Sequence, residues 1–352
     1  MASVRQTREE KRVFRKKRAL AGVSAMMLAV GLAWAAAPQA RAGTVFYEVA
    51  FQASNTDLAQ VGVENHGDWN LQVMPGSSPA TTFDQGNDLS DRPSGIEVAF
   101  AEAGTGDLIT FGPDGLTNTG IPVQPGTSPS ISGFEDGGYV VAFQEAGGEV
   151  VTLIDDGFET DWGVAASGTS PSVTAFEFGT YEVAFQTTFG NLETTGTFDN
   201  HGAWALGMMA GTSPAVTSNA NGNGYEVAFE ANTGNLWTVA FGASGGTNMN
   251  LGMMRGTSPA ITDQADGVGY EIAFQANTGD LWTVGADNHD NWKLGMMAGT
   301  NPSIIIGPGG DQYEVAFEAN TGQVWTVGED DHDAWTADNA VASGTSPSIG
   351  AG

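Results

Sequence analysis

A five-residue segment, Tyr-Glu-Val-Ala-Phe or a close variant, recurs seven times, at residues 47–51, 96–100, 139–143, 181–185, 225–229, 270–274 and 313–317. Successive copies start 49, 43, 42, 44, 45 and 43 residues apart. A second element, built on Gly-Thr-Ser-Pro-Ser, keeps step with the first, its proline falling at Pro79, Pro129, Pro171, Pro214, Pro259, Pro302 and Pro347. A unit this short cannot bury its own apolar face. The fold must therefore come from neighbouring units stacked in register.

Each unit reads as four short strands, from period-two alternation and from turn residues. In the sixth they are "PAIT" (259–262), "YEIAFQA" (270–276), "LWTVG" (281–285) and "WKLGMM" (292–297), called A to D below. Proline opens strand A, where a missing N–H breaks no ladder, and Asn-Thr-Gly supplies the hairpin turn between B and C. Four antiparallel strands per unit make a propeller blade. The first repeat begins at "TVFYEVAF" (44–51) with no strand A before it, and the last residues, "GTSPSI" (344–349), are a strand A with no strand B after it. The expectation is an all-β, seven-bladed β-propeller, four antiparallel strands per blade, with blade 1 closed by the C-terminal strand so that no edge stays open. In Tyr-Glu-Val-Ala-Phe, Tyr, Val and Phe share one face and Glu and Ala the other, so adjacent blades can pack large against small.

Residues 1–42 read as a secretory signal peptide, and 43–352 as the propeller of seven repeats. The leader has a basic start (Arg5, Arg8, Lys11, Arg12, Arg15, Lys16, Lys17, Arg18), an apolar run from Ala19 to Ala37 and an Ala-Arg-Ala cleavage site at 40–42. A retained membrane anchor competes with this reading, but Gly, Ser and Ala dilute the run and Pro38 ends it. Without the leader, three basic residues (Arg92, Arg255, Lys293) face 39 acidic ones, a net charge of −36. Such a surface repels phosphate backbones and anionic headgroups, which argues against nucleic acid and, after cleavage, against membrane insertion. With no cysteine, neither disulfides nor thiolate metal sites are available.

All four histidines share one motif: an acidic residue, Asn or Asp, His, two residues, then Trp. It reads "ENHGDW" with Asn65, His66 and Trp69; "DNHGAW" with Asn200, His201 and Trp204; "DNHDNW" with Asn288, His289 and Trp292; and "DDHDAW" with Asp331, His332 and Trp335. The motif falls in the C–D turn of blades 1, 4, 6 and 7, while blade 3 keeps "ETDW" with Trp162. Two readings stand open. In one, Asp or Asn closes the turn and Trp packs on the next blade. In the other, the Trp face takes the apolar C–H side of a sugar while His and Asn or Asp bind its hydroxyls. A metal site is not expected, because one histidine per blade leaves the imidazoles dispersed.

Strand-C Trp237, Trp282 and Trp325 suit blade packing, with ligand stacking as the other use. The strand-B glutamates (Glu48, Glu97, Glu182, Glu226, Glu271, Glu314; Val140 in blade 3) must be hydrogen-bonded if buried. Met208–Met209, Met253–Met254 and Met296–Met297 stand in the links between blades, where they fill core or form an adaptable apolar surface. The segment "FDQGNDLSDRPSG" (83–95) offers Asp84, Asn87, Asp88 and Asp91 but lacks an EF-hand pattern and reads as an acidic insertion. No nucleophile elbow, zinc-type histidine pair or isolated carboxylate couple breaks the repeat, so no enzyme and no cofactor is expected.

The repeats "GYEVAFEANTGNLWTV" (224–239) and "GYEIAFQANTGDLWTVG" (269–285), with the recurring Leu-Gly-Met-Met and Gly-Thr-Ser-Pro-Ala segments, resemble the PLL-like bacterial β-propeller lectins. The resemblance implies seven blades with multivalent pockets between them, for fucose-like or O-methylated sugars. It also extends to propellers that serve as lectin subunits of umbrella-type toxin particles. The expected function is secreted, extracellular, multivalent and non-enzymatic carbohydrate binding, with neutral glycans as partners. The rival is a protein-interaction scaffold or a lectin subunit docked to other secreted proteins.

Overall fold

The computed structural model describes residues 47–62, 67–86, 94–155, 157–199, 202–219, 222–264, 269–285, 289–306, 313–328, 332–335 and 340–351. These residues form seven sheets of four antiparallel strands each. In blade 6 the strands are Ala260–Asp263, Tyr270–Gln275, Asp280–Gly285 and His289–Gly295. One 3-10 turn, Glu177–Gly179, is the only helical element among the described residues. None of their helices is long and apolar enough to cross a membrane. The 1–42 leader lies outside the described residues.

Strands A of consecutive blades adjoin one another around the whole ring, so A lines the axis and D lies outermost. Blade 1 takes its strand A from the far end of the chain: Ser348–Ala351 pairs antiparallel with strand B, Tyr47–Gln52, with Tyr47 opposite Ala351 and Ala50 opposite Ser348. The core is divided among the seven junctions. Between blades 4 and 5, Ala184, Leu192 and Trp204 of one blade meet Tyr225, Val227 and Phe229 of the next. Val49 and Phe51 of blade 1 face blade 7, whereas Ala50 between them faces blade 2. Large-against-small packing thus follows from strand alternation. The seven strand-B phenylalanines are at most 1% exposed, and each such burial is worth about 2–3 kcal/mol.

A second device runs around the axis. In every Gly-Thr-Ser-Pro turn the residue before proline donates its N–H to the side-chain oxygen of its counterpart in the following blade. The circuit passes from Ser78 to Ser128, Ser170, Ser213, Ser258, Asn301, Ser346 and back to Ser78, at 2.7–2.9 Å per step. The turn is fixed locally. Its glycine has φ between 77° and 85° in all seven copies, a region that side chains disfavour. In six copies its threonine hydroxyl donates to the carbonyl three residues back. Proline has no N–H, so the donor has to be the residue before it.

Removing one acceptor should weaken the ring by a modest and position-independent amount. Ser346→Ala at the closing blade and Ser213→Ala inside the ring should each cost about 1 kcal/mol in urea unfolding; a much larger loss at Ser346 would mean that the seam is held differently from the other junctions.

Candidate functional site

In blades 6 and 7 the motif histidine opens strand D itself, where the sequence suggests the C–D turn. His289 pairs with Val284 and His332 with Val327 across the C–D hairpins of blades 6 and 7. Asn65, His66, Asn200, His201, Asn288 and Asp331 lie outside the described residues, and the side chains of His289 and His332 are not described. The geometry is carried by the tryptophans. Trp204, Trp292 and Trp335 donate their indole N–H to the strand-C hydroxyls of Thr194, Thr283 and Thr326, at 2.9, 3.0 and 2.9 Å. Trp162 of blade 3 does the same to Thr152, at 2.9 Å.

Each of these threonines also bonds a tyrosine from the next blade. Thr152 meets Tyr181 at 2.9 Å, Thr194 meets Tyr225 at 3.0 Å, Thr283 meets Tyr313 at 2.9 Å and Thr326 meets Tyr47 at 3.3 Å. One hydroxyl therefore joins two strands of its own blade to strand B of its neighbour. Trp335 meets Tyr47 edge-on at 6.3 Å and 86°, and Trp162 meets Tyr181 at 6.1 Å and 84°. Blade 1 departs from the pattern. Gln60 replaces the threonine and Ile96 the tyrosine, and the Trp69 indole N–H is buried without a partner. Trp69 instead meets Phe111 edge-on at 5.0 Å.

Exposure separates the four motif tryptophans. Trp204 is 4% exposed and belongs to the core, while Trp69, Trp292 and Trp335 are half-buried and keep part of their rings at the surface. These three serve the successive junctions 6/7, 7/1 and 1/2. Strand-C Trp237, Trp282 and Trp325 are also half-buried, at junctions 4/5, 5/6 and 6/7, beside Leu206, Leu251 and Leu294. They pack between blades without being sealed there. Of the methionine pairs, Met208, Met253 and Met296 are core, and Met209, Met254 and Met297 are half-exposed.

The buried strand-B glutamates are structural. Glu182 is fully buried and its Oε2 accepts the Asp199 N–H at 3.1 Å, tying down the residue that opens the His201 motif. Burial pushes Glu182 up to about 8 and Glu226 up to about 7. The glycine ending strand C makes room for the carboxyl group: a Cβ on Gly62, Gly112, Gly196, Gly285 or Gly328 would overlap Glu48, Glu97, Glu182, Glu271 or Glu314. Blade 3, with Val140 in place of glutamate, carries Ile154 in place of that glycine. This pairing was missed in the sequence, although a fixed spacing of about fourteen residues between Glu and Gly repeats in it.

Also missed was an aromatic group at junction 4/5. Phe176 and Phe198 stack at 4.2 Å, Phe241 meets Phe198 at 5.4 Å and Tyr225 at 5.6 Å, and Phe241 is 42% exposed. These phenylalanines are departures from the repeat, the signal that could have found them. In the acidic insertion, Asp84 Oδ1 accepts the N–H groups of Gly86 and Gly138, joining blades 2 and 3. Asn87, Asp88 and Asp91 lie outside the described residues. Glu145, Glu159 and Asp161 of blade 3 bring carboxylate oxygens within 4.8 Å of one another, the one such grouping among the described residues.

Thr194→Val should leave the Trp204 N–H and the Tyr225 hydroxyl without their shared partner and cost about 2–3 kcal/mol by chemical unfolding. Glu182→Gln should change the pH dependence of stability. The folded carboxyl value is raised, so its contribution is complete below the ordinary carboxylate range and is lost as pH rises through about 8. The variant should therefore match the parent near pH 5 and exceed it above pH 8 in thermal melts.

No protein-family model and no curated protein matches the chain. Solved structures do. A mutant of the Aleuria aurantia lectin in complex with Fucalpha1-6GlcNAc aligns with a TM-score of 0.50 at 16% identity, covering 70% of this chain and 90% of that one. A fungal lectin structure described as a six-bladed β-propeller with a novel fucose recognition mode, again from Aleuria aurantia, gives 0.50 at 16% identity, covering 70% and 88%. AofleA from Arthrobotrys oligospora gives 0.47 at 11%, covering 77% and 89%. At these identities the likeness is one of fold: the chain shares the β-propeller architecture of solved fucose-binding lectins, with seven blades where the Aleuria aurantia lectin has six.

Proposed function

We propose that the chain is a secreted, multivalent carbohydrate-binding protein that recognises neutral, fucose-like or O-methylated sugars on cell-surface glycans and catalyses no reaction. The supporting observation is the half-exposed set Trp292, Trp335 and Trp69 at three successive junctions, each three residues after a histidine and its Asn or Asp. A pyranose laid on such a ring would offer its C–H side to the indole and its hydroxyls to imidazole and carboxamide. Contacts would come from Asn288, His289 and Trp292, from Asp331, His332 and Trp335, and from Asn65, His66 and Trp69. Asn200, His201 and Trp204 make the fourth candidate set, with the most buried ring.

A deoxy or O-methylated sugar presents more C–H surface to an indole, and the Aleuria aurantia lectin was solved with a fucosylated disaccharide. The repeat motifs support a place among the PLL-like lectins. A net charge of −36 behind the leader favours uncharged ligands. Several weak sites on one disk would gain avidity on a glycan-covered surface. The second reading, a subunit of a larger secreted complex, is favoured by Phe189, which is 90% exposed at the tip of a blade 4 turn.

A glycan array probed with the chain and with Trp292→Ala/His289→Ala and Trp282→Ala variants tests this. Binding to a fucosylated or methylated sugar that falls severalfold in the first variant supports sites at the C–D turns. A fall only in Trp282→Ala moves them to the strand-C rings. A blank array refutes the lectin reading and favours the complex.

A further inference from the structure

Strand B ends in glutamine in blades 1, 3, 4 and 6. Gln52, Gln144, Gln186 and Gln275 are each 1% exposed or less. Their amide nitrogens donate to carbonyl oxygens where strand D runs into the link to the next blade: Gln52 to Val73 at 2.6 Å, Gln144 to Ala165 at 3.3 Å, Gln186 to Met209 at 3.0 Å, and Gln275 to Met296 and Met297 at 3.3 Å each. Blade 2 has Ala101. Blades 5 and 7 instead carry Glu230 and Glu318, which are 0% and 2% exposed.

A carboxylate has nothing to donate to a carbonyl oxygen, and a dry pocket lined by such oxygens is unfavourable for it. A carboxylic acid has the shape of the glutamine side chain and one O–H to give. Glu230 Oε1 and Glu318 Oε2 are buried without a partner, and Glu230 Oε2 takes only a long contact, 3.4 Å, from the Gly256 N–H of the link. Exposed Arg255 is the charged group that acts on Glu230, and none acts comparably on Glu318 among the described residues. Strand C places Leu236 opposite Glu230 and Val324 opposite Glu318, and by the pattern of the glutamines the link carbonyls that follow strand D would be those of Met254 in blade 5 and Ala342 in blade 7.

We infer that Glu230 and Glu318 hold protons in the folded protein and act as latches, donating to the link carbonyls of blades 5 and 7, so that alkaline pH loosens the ring at these two places. The second latch is the more consequential. The link it holds leads through Thr345 and Ser346 into Ser348–Ala351, the strand that closes blade 1. Burial pushes both carboxyl groups up to about 7, with the Gly256 N–H and then Arg255 partly opposing it at Glu230. Because the folded values are raised, the stabilisation is complete below the ordinary carboxylate range and is lost as pH rises through about 7.

The test compares the full chain with its Glu230→Gln/Glu318→Gln variant, a replacement that four blades already carry. Chemical unfolding from about pH 5 to about pH 8.5 should show the parent losing stability that the variant keeps. Hydrogen exchange, corrected for intrinsic rates, should quicken by about tenfold in residues 341–351 of the parent at the upper pH and stay level in the variant. Infrared spectra supply a readout independent of folding energetics: the protonated-carboxyl band of the parent at neutral pH should be smaller in the variant. Parallel stability curves, or a variant band equal to that of the parent, would overturn the inference.

Discussion

The structure depends on burying both faces of every sheet. Strand B has Tyr, Val and Phe on one side and Glu and Ala on the other, so a blade is stable only between two neighbours, and the neighbours are in the same position. That requirement is met when the last blade meets the first. Pairing of Ser348–Ala351 with Tyr47–Gln52 brings the two ends of the described chain into one sheet, and the circuit of seven N–H to side-chain oxygen bonds around the axis has no first or last member. With no cysteine available, cohesion comes from packing and hydrogen bonding alone.

The Trp–Thr–Tyr nodes show how this framework also governs the surface. Once the indole N–H is given to a buried threonine, the ring cannot swing, and its remaining accessible part is held at a fixed angle. For a ligand laid on the ring, such preorganisation would reduce the entropy lost on binding. Blade 1 illustrates the coupling by losing both partners together: Gln60 and Ile96 stand in for Thr and Tyr, and Trp69 leans on Phe111 instead. Trp204 shows the opposite extreme, anchored in the same way but 4% exposed within the core cluster of junction 4/5.

Acidic residues play two unlike parts. Some, such as Asp114, Glu135, Asp136 and Glu177, are exposed and contribute to the negative surface field. Others, including Glu182, Glu226, Glu230 and Glu318, are set into the sheets, where burial raises the cost of ionisation and, among the described residues, Arg255 near Glu230 is the basic group that opposes it. These groups behave as hydrogen-bonding residues more than as charges. At Glu182 the surroundings agree: Gly196 at the end of strand C admits the carboxyl group, and Ile154 fills the same space where blade 3 has no glutamate.

Repeat length, strand alternation and turn residues were enough to fix seven blades and, in blade 6, strand limits close to those observed, because each is a local property of backbone geometry repeated seven times. The histidine motifs read as C–D turns in the sequence, but in blades 6 and 7 the hairpin is tighter and His289 and His332 already belong to strand D. What the motif tryptophans do was not legible: Trp204 and Trp292 give their N–H to the same kind of threonine, itself bonded to a tyrosine of the next blade, yet Trp204 is covered and Trp292 is half open, so the rest of each junction's packing sets the exposure. The same holds for Glu182 beside Gly196, and for Glu230 where other blades have an amide facing carbonyl oxygens. The sequence alone determined the blades. Only the tertiary structure decided which polar atoms are used inside them and which remain to meet a ligand, because those contacts depend on the angle and spacing between adjacent sheets, which no local periodicity encodes.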